Sequence, residues 1–463
     1  MADSSDALVF FGATGDLAYK QVIPALQALV GRGLDIPIIG VARRALTNDQ
    51  FVARTRESLE QHGGVDGIAF AKMARLLRYV SGDYQDPMTY RRLRQVLGDA
   101  DRPLHYLAIP PNLFETVARG LAGVGATARA RVVIEKPFGR DLLSAQELNR
   151  TLLQFCREDA IFRIDHYLGK EPVENLSYFR FANIFLEPIW NRNYINNIQI
   201  TMAENFGVEG RGAYYDEAGA IRDVVQNHLL QVTALLTMEP PSAAALETGR
   251  DQKALVLKTI RPLTPSDVVR GQFRGYRCEP GVAQDSQVET FAAIRLRVEN
   301  WRWAGVPIFI RAGKCLPTTT TEIYVQMKHA PQVVFAEDNE LAAHHASRGN
   351  NVRFRLSPDV FISIGALAKV PGDALRGEAV ELVARHEPVG VRSPYERLLG
   401  DAIRGDQRLF AREDAIEAAW QVVDPIVGEA TPLYEYEPNT WGPTEADRIG
   451  PPDGWMEPTS RAD

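Results

Sequence analysis

An apolar run that breaks on a glycine and passes straight into a helical pattern constrains this chain more than any other feature. ALVFFG is followed by ATGD and then by LAYKQVIPALQALV, in which Leu17, Val22, Ile23, Leu26, Leu29 and Val30 recur at helical spacing. The unit then repeats. IPIIGVARR, LHYLAIPP and RARVVIEKPFG are further apolar runs, separated by helix-length segments. Strands alternating with helices predict a parallel sheet with right-handed crossovers.

From about residue 175 the pattern changes. YINNIQITMAENFG, QVETFAAIRLRVENW, VPIFIRAG, TEIYVQM and NVRFRLSPDVFISIGAL are strand-like, and one long helical stretch, AIRDVVQNHLLQVTALLTM, interrupts them. This predicts a second α+β domain on a mostly antiparallel sheet. The Pro-rich tail from about 437 reads as wrapping coil.

Composition narrows the function classes. The chain has 463 residues, 45% hydrophobic and 24% charged, which is ordinary for roughly two to three globular domains. Net charge is −7, with both signs interspersed, so neither a nucleic-acid arm nor a membrane patch is expected. Cys156, Cys278 and Cys315 are odd in number and far apart, which suits neither a disulfide framework nor a metal site. The N-terminus has no positive leader region, and no apolar run reaches about 18 residues. A cytoplasmic enzyme is expected.

The first glycine turn, GATGDL, places Gly12 and Gly15 between strand and helix. Glycine there lets the backbone approach a pyrophosphate, and the helix N-terminus offers free N–H groups to it. The plainer reading is a tight turn that needs glycine for its dihedrals. The end of the second strand decides between them. An acid there would select NAD, whereas Arg43 and Arg44 suit the 2′-phosphate of NADP.

Hydride removal from an alcohol or hemiacetal needs a base for the hydroxyl proton, and imidazole titrates near working pH. Of eight histidines, His62, His105, His329, His344, His345 and His386 have no persuasive context, while His166 and His228 do. His228 lies on the long helical stretch, five residues after Asp223, about 140° around an α-helix, so the two need not meet. A carboxylate such as Asp165 beside the imidazole would fix its tautomer. In IFRIDHYLGKEP, a strand should end before Asp165 and a helix should begin at Pro172, leaving His166, Tyr167 and Lys170 in the turn as donors for a phosphate dianion.

The chain resembles the glucose-6-phosphate dehydrogenase family. GATGDLA, LAIPPNLFE, EKPFG, RIDHYLGKE, FANIFLEPIWNR, EGRGAYYDEAGAIRDVVQNHL, WRWAGVPIFIRAGK and GPTEAD occur in that family's order, from residue 12 to about 447. The resemblance implies NADP-linked oxidation of glucose 6-phosphate to 6-phosphoglucono-1,5-lactone. It also implies a Rossmann-like NADP-binding domain over 1–174 and a substrate and oligomerisation domain with a large antiparallel sheet over 175–463. By resemblance, His228 is the general base and Asp165 its partner. His166, Tyr167 and Lys170 hold the phosphate, Glu204, Asp223 and Lys314 contact the sugar, and Lys136 bridges cofactor and substrate. Gly12, Thr14, Gly15, Asp16, Leu17, Arg43 and Arg44 hold NADP. No metal is implied, and a homodimer or homotetramer is.

The sequence departs from the family pattern at particular places. Thr319, in GKCLPTTTT, stands where a basic residue contacts the sugar, and Ser357 stands where glutamine is frequent. Tyr19 and Phe114 replace a common lysine and tyrosine. Two alternatives follow: a paralogue that oxidises another phosphorylated aldose, and a non-catalytic NADP-binding regulator.

Overall fold

The computed structural model describes residues 4–242, 246–329, 350–372, 377–385 and 392–458. His344, His345 and His386 lie outside the described residues. The chain divides into two compact units. One comprises Met1–Glu171, Pro241–Gln252 and Gly390–Glu417; the other comprises Pro172–Pro240, Lys253–Val389 and Ala418–Asp463.

The first unit is built on six strands: β1 (Ala7–Phe11), β2 (Ile38–Ala42), β3 (Leu77–Ser81), β4 (Pro103–Leu107), β5 (Arg131–Glu135) and β6 (Ile161–Ile164). Their order is β3-β2-β1-β4-β5-β6, and every pair is parallel. β1, β2 and β4 are buried at every position, as befits parallel strands covered on both faces. Leu8, Phe10, Leu26, Phe51, Leu104 and Phe162 share one core with Leu398, Ile403 and Phe410, which come from the returning segment. That segment carries the helix Pro394–Arg404, which starts at an Ser393 cap with proline in its first turn and stops at the left-handed Gly405. The strand order reverses between β1 and β4, which opens a crevice beyond their carboxyl ends.

Among the described residues the second unit carries nine strands: β7 (Ile195–Ala203), β8 (Val268–Phe273), β9 (Phe291–Arg297), β10 (Pro307–Gly313), β11 (Thr320–Met327), β12 (Asn351–Ser357), β13 (Phe361–Lys369), β14 (Gly377–Arg385) and β15 (Leu433–Tyr436). Their order is β14-β13-β12-β11-β7-β10-β9-β8-β15. Pairing is antiparallel except for β7 with β10 and β15 with β8. The mostly antiparallel sheet expected from the sequence is present. NVRFRLSPDVFISIGAL forms two strands, because Pro358 cannot donate to a ladder. β8 and β14 are weak in sequence: Arg270, Gly271 and Gln272 interrupt one, and Glu378 and Glu381 interrupt the other.

An ion pair fixes the last strand of the first sheet. Arg163 on β6 is fully buried and donates to Glu158 at 2.7 and 2.9 Å and to Asn149 at 3.0 Å. Its carbonyl accepts from the Ala411 N–H at 3.2 Å, so the returning segment is stitched to the same strand. Replacing Arg163 by leucine would leave Glu158 without its main partner. Such losses cost about 3 kcal/mol when the remaining charge keeps some solvent. We expect Arg163→Leu to move the first transition of a urea melt by that amount; an unmoved midpoint would show that β6 does not depend on the pair.

Candidate active site

All six strands of the first sheet are parallel, so their carboxyl ends lie along one edge, and the predicted first-unit residues follow those ends. Gly12 follows β1, Arg43 and Arg44 follow β2, Lys136 follows β5 and Asp165 follows β6. Gly12 has φ +79°, and a β-carbon there would lie 2.1 Å from the Ala108 carbonyl oxygen. Only glycine meets both requirements. Its N–H donates to Val41 O at 3.0 Å and to the Tyr84 hydroxyl at 2.9 Å, and that hydroxyl donates onward to Val41 O at 3.2 Å. Gly15 closes the turn by donating to Gly12 O at 2.9 Å. The Thr14 carbonyl accepts from Arg54 Nη2 at 3.0 Å.

The helix that follows, with Asp16 and Leu17 at its start, has a π-wound turn at Ala18–Val22 and continues as an α-helix over Ile23–Gly31. Pro24, lacking an N–H, breaks the regular ladder, and Ile23 N–H reaches back to Ala18 O. Arg43 and Arg44 are exposed just beyond β2, Arg43 3.5 Å from Asp83. A close-backbone turn with two exposed guanidinium groups beside it suits a 2′-phosphorylated dinucleotide.

The turn after β6 is pre-formed. Asp165 is buried, and its Oδ1 accepts from the Tyr167 N–H at 2.9 Å. Leu168 and Lys170 N–H groups donate to the carbonyls of Asp165 and Tyr167, both at 3.0 Å, and Arg397 holds Gly169 O at 3.0 Å. Lys170 Nζ sits 3.7 Å from the centroid of the Tyr167 ring, against whose edge His166 packs. The following helix begins at Glu171, so Pro172 takes its second position rather than the first. Lys136 is half-buried and joined to Pro137 by a cis peptide bond. His105 is filler, as expected: it is fully buried, with Nε2 2.8 Å from Ala126 O, and burial pushes its pKa down to about 4.

In the second unit, residues Ile221–Leu229 are π-wound. In that winding hydrogen bonds run from i to i+5, so residues five apart lie nearly one above the other. Asp223 and His228, five apart, therefore lie closer to one face than the α-helical spacing of the sequence reading would place them. His228 is buried and Asp223 half-buried, with the Tyr214 hydroxyl donating to Asp223 Oδ1 at 3.1 Å. The segment starts on the kink at Gly219, φ +66°, where a β-carbon would lie 2.5 Å from Glu289 Oε1. Glu289 accepts from the Ile221 N–H at 3.0 Å and lies 3.5 Å from Arg270. Burial raises the Glu289 pKa, against the pull of these donors.

Glu204 follows β7, and Lys314 follows β10, its parallel neighbour, so the two meet at 2.6 Å. Lys314 Nζ also lies 5.0 Å from the Phe206 and Tyr215 ring centroids. Thr319 does not stand free in place of a cation. Its hydroxyl donates to Asn205 Oδ1 at 2.6 Å and accepts from Asn205 N–H at 3.0 Å, fixing the residue after Glu204. Ser357 contributes its carbonyl, which accepts from Thr320 at 3.0 Å. Tyr84, Arg54 and Glu289 had no place in the sequence reading; each acts on a backbone far away in sequence, and no local signal marks them.

The family models described as the NAD binding domain and the C-terminal domain of glucose-6-phosphate dehydrogenase match residues 9–175 and 177–456. Glucose-6-phosphate 1-dehydrogenase 1 of Mycobacterium tuberculosis strain H37Rv is 44% identical over 459 residues, 98% of this chain and 97% of that protein. The cytoplasmic glucose-6-phosphate 1-dehydrogenase 5 of Arabidopsis thaliana is 37% identical over 482 residues, 97% of this chain and 92% of that one. Among solved structures, the Mycobacterium avium glucose-6-phosphate 1-dehydrogenase superposes with a TM-score of 0.90 at 44% identity, covering 99% of this chain and 100% of that one. A glucose-6-phosphate dehydrogenase in complex with glucose 6-phosphate also gives 0.90, at 35% identity and the same coverage.

The cradle makes a sharp prediction. Gly12→Ala must push the turn away from Ala108, at a cost of about 3 kcal/mol, or roughly a hundredfold in dinucleotide affinity. Fluorescence titration with NADPH measures this. Affinity within threefold of the unaltered chain would mean that the turn does not approach the dinucleotide.

Proposed function

The chain belongs to the glucose-6-phosphate dehydrogenase family, and on that premise we propose that it oxidises glucose 6-phosphate to 6-phosphoglucono-1,5-lactone with His228 as the base. The observation that carries this reading is the turn after β6, in which Asp165, His166, Tyr167 and Lys170 are pre-formed. NADP is the cofactor and, when bound, supplies the carbon that accepts the hydride. Gly12, Thr14, Gly15, Asp16 and Leu17 hold its pyrophosphate against the helix start, and Arg43 and Arg44 its 2′-phosphate.

The remaining work belongs to side chains. Lys170, His166 and the Tyr167 hydroxyl take the phosphate of the sugar. Glu204, Asp223 and Lys314 orient the ring hydroxyls, and Lys136 lies between sugar and cofactor. His228 removes the proton from the C1 hydroxyl as the hydride leaves C1, so that the C1–O bond becomes a carbonyl. The negative charge of Asp165 favours the imidazolium that results. The cofactor sits on the 1–174 domain and the sugar's hydroxyl contacts on the 175–463 domain.

The proposed setting is cytoplasmic, as the name of the Arabidopsis relative has it. Among the described residues no helix is long and apolar enough to cross a membrane. Self-association into a homodimer or homotetramer through the large sheet is supported by Leu367, Leu382 and Val383, apolar yet exposed on the outer strands β13 and β14.

Two experiments test the roles. His228→Ala should lower kcat by about 10²–10⁴-fold with KM for the sugar phosphate within a few fold, since the base acts in the transition state. Near-normal turnover would remove His228 from the mechanism. Replacing Arg43 and Arg44 together by alanine should raise KM for NADP at least tenfold and leave that for NAD nearly unchanged. Equal losses for both cofactors would show that these arginines do not read the 2′-phosphate.

A further inference from the structure

One buried carboxyl at the strand ends has no part in the chemistry above. Glu135 closes β5 and is 9% exposed. In the parallel register Glu135 pairs with Ile164 of β6, so the next residue of that strand end is Asp165. The hydroxyl of Tyr106, on β4, donates to Glu135 Oε1. The hydroxyl of Tyr395, in the first turn of the helix Pro394–Arg404, bonds the same carboxyl. The charged groups that face it are therefore Lys136, next in the chain, and Asp165, with the two phenols from β4 and the returning helix. Burial is the main cause that raises the Glu135 pKa, to about 7, and the negative charge of Asp165 adds to it; the two phenols and Lys136 pull the other way. Burial likewise raises both tyrosines, which stay neutral donors.

A carboxyl poised in this way changes charge within the range where such an enzyme works. Its fold is committed to the arrangement: two phenols from separate elements converge on one carboxylate inside a single compact unit. A group needed only for packing would be better served by an apolar side chain.

We propose that Glu135 is a positioning residue that sets the electrostatic field at Asp165 according to whether it holds a proton. Neutral, it leaves the charge of Asp165 to act by itself on the imidazole of His228. Ionised, it adds a second negative charge behind Asp165, raises the proton affinity of that imidazole and so shifts the pH at which the base is ready. The inference rests on the reading that Asp165 assists His228. Protonation of Glu135 consumes one solvent proton and returns it on ionisation, with no net change per turnover.

The coupling can be measured without turnover. Infrared difference spectra of the whole protein over pH 5–9 follow the carbonyl band of a protonated carboxyl, and Glu135→Gln identifies the band by its loss. We expect a midpoint near neutrality that moves at least half a pH unit lower in Asp165→Asn, where the like charge is gone. In Tyr395→Phe, where a donor to the carboxylate is gone, it should move higher. A midpoint below pH 5.5, or one that ignores both substitutions, overturns the proposal.

The consequence is read from kcat against pH. In Glu135→Gln the acid limb should move by at least half a unit, or lose one ionisation, while KM for both substrates stays within threefold. A profile that overlays the unaltered enzyme overturns the functional half. Should the glutamine variant fail to fold, Tyr395→Phe gives the same reading, with its limb displaced in step with its infrared midpoint. If instead Asp165→Asn keeps near-normal kcat while the infrared midpoint shifts as expected, the assignment of Asp165 fails and the Glu135 coupling stands.

Discussion

The close passage of Gly12 over Ala108 is the constraint on which the first unit turns. A β-carbon at residue 12 would lie 2.1 Å from the Ala108 carbonyl oxygen, so the ends of β1 and β4 approach as closely as two backbones can. That approach occurs where the strand order reverses, and it is what gives the crevice a floor of backbone instead of side chains. Tyr84 stabilises it from below by satisfying the Gly12 N–H and bonding Val41 O in turn. The cradle is thus held by groups from three strand ends, so the dinucleotide proposed to bind there would meet it already ordered.

The second unit solves a different problem by a comparable device. The residue proposed as the base is carried on a helical segment whose winding is π over Ile221–Leu229, which stacks His228 and Asp223 on one face. That winding begins at the Gly219 kink, where the Ile221 N–H is taken by Glu289. A buried carboxylate at a helix start is favoured by the free N–H groups there, and Arg270 offsets the cost of burying its charge. Glycine, carboxylate and arginine together set where Asp223 and His228 fall.

Much of this was legible in the sequence. The alternating first third and the mostly antiparallel second sheet were read correctly from apolar periodicity and from the placing of glycine and proline, and the helix after β6 was placed one residue late because Pro172 takes its second position. What escaped has a common cause. Tyr84 lies 72 positions from the Gly12 it serves, Glu289 lies 68 from Ile221, and Tyr106 lies 29 from Glu135. Such contacts depend on the fold and leave no local pattern. The π winding escaped for another reason: helical periodicity assumes the α repeat, and nothing in AIRDVVQNHL announces a wider turn. Thr319 illustrates the converse. The sequence flagged it as a missing charge, and the structure gives its hydroxyl a backbone-ordering role beside Glu204.

Lys314 and Lys170, two of the lysines proposed to meet the substrate, are set in place by different contacts. Lys314 is paired with Glu204 at 2.6 Å, so much of its charge is already answered within the protein. A pair of that kind presents one donor and one acceptor side by side, which suits neutral hydroxyls that can both give and take hydrogen bonds. Lys170 lies over the face of Tyr167 at 3.7 Å, a contact that fixes where its ammonium group sits. A cation fixed in place binds a dianionic phosphate with less loss of side-chain freedom. An aromatic face alone at Lys314 would leave the sugar hydroxyls proposed to bind there without that acceptor.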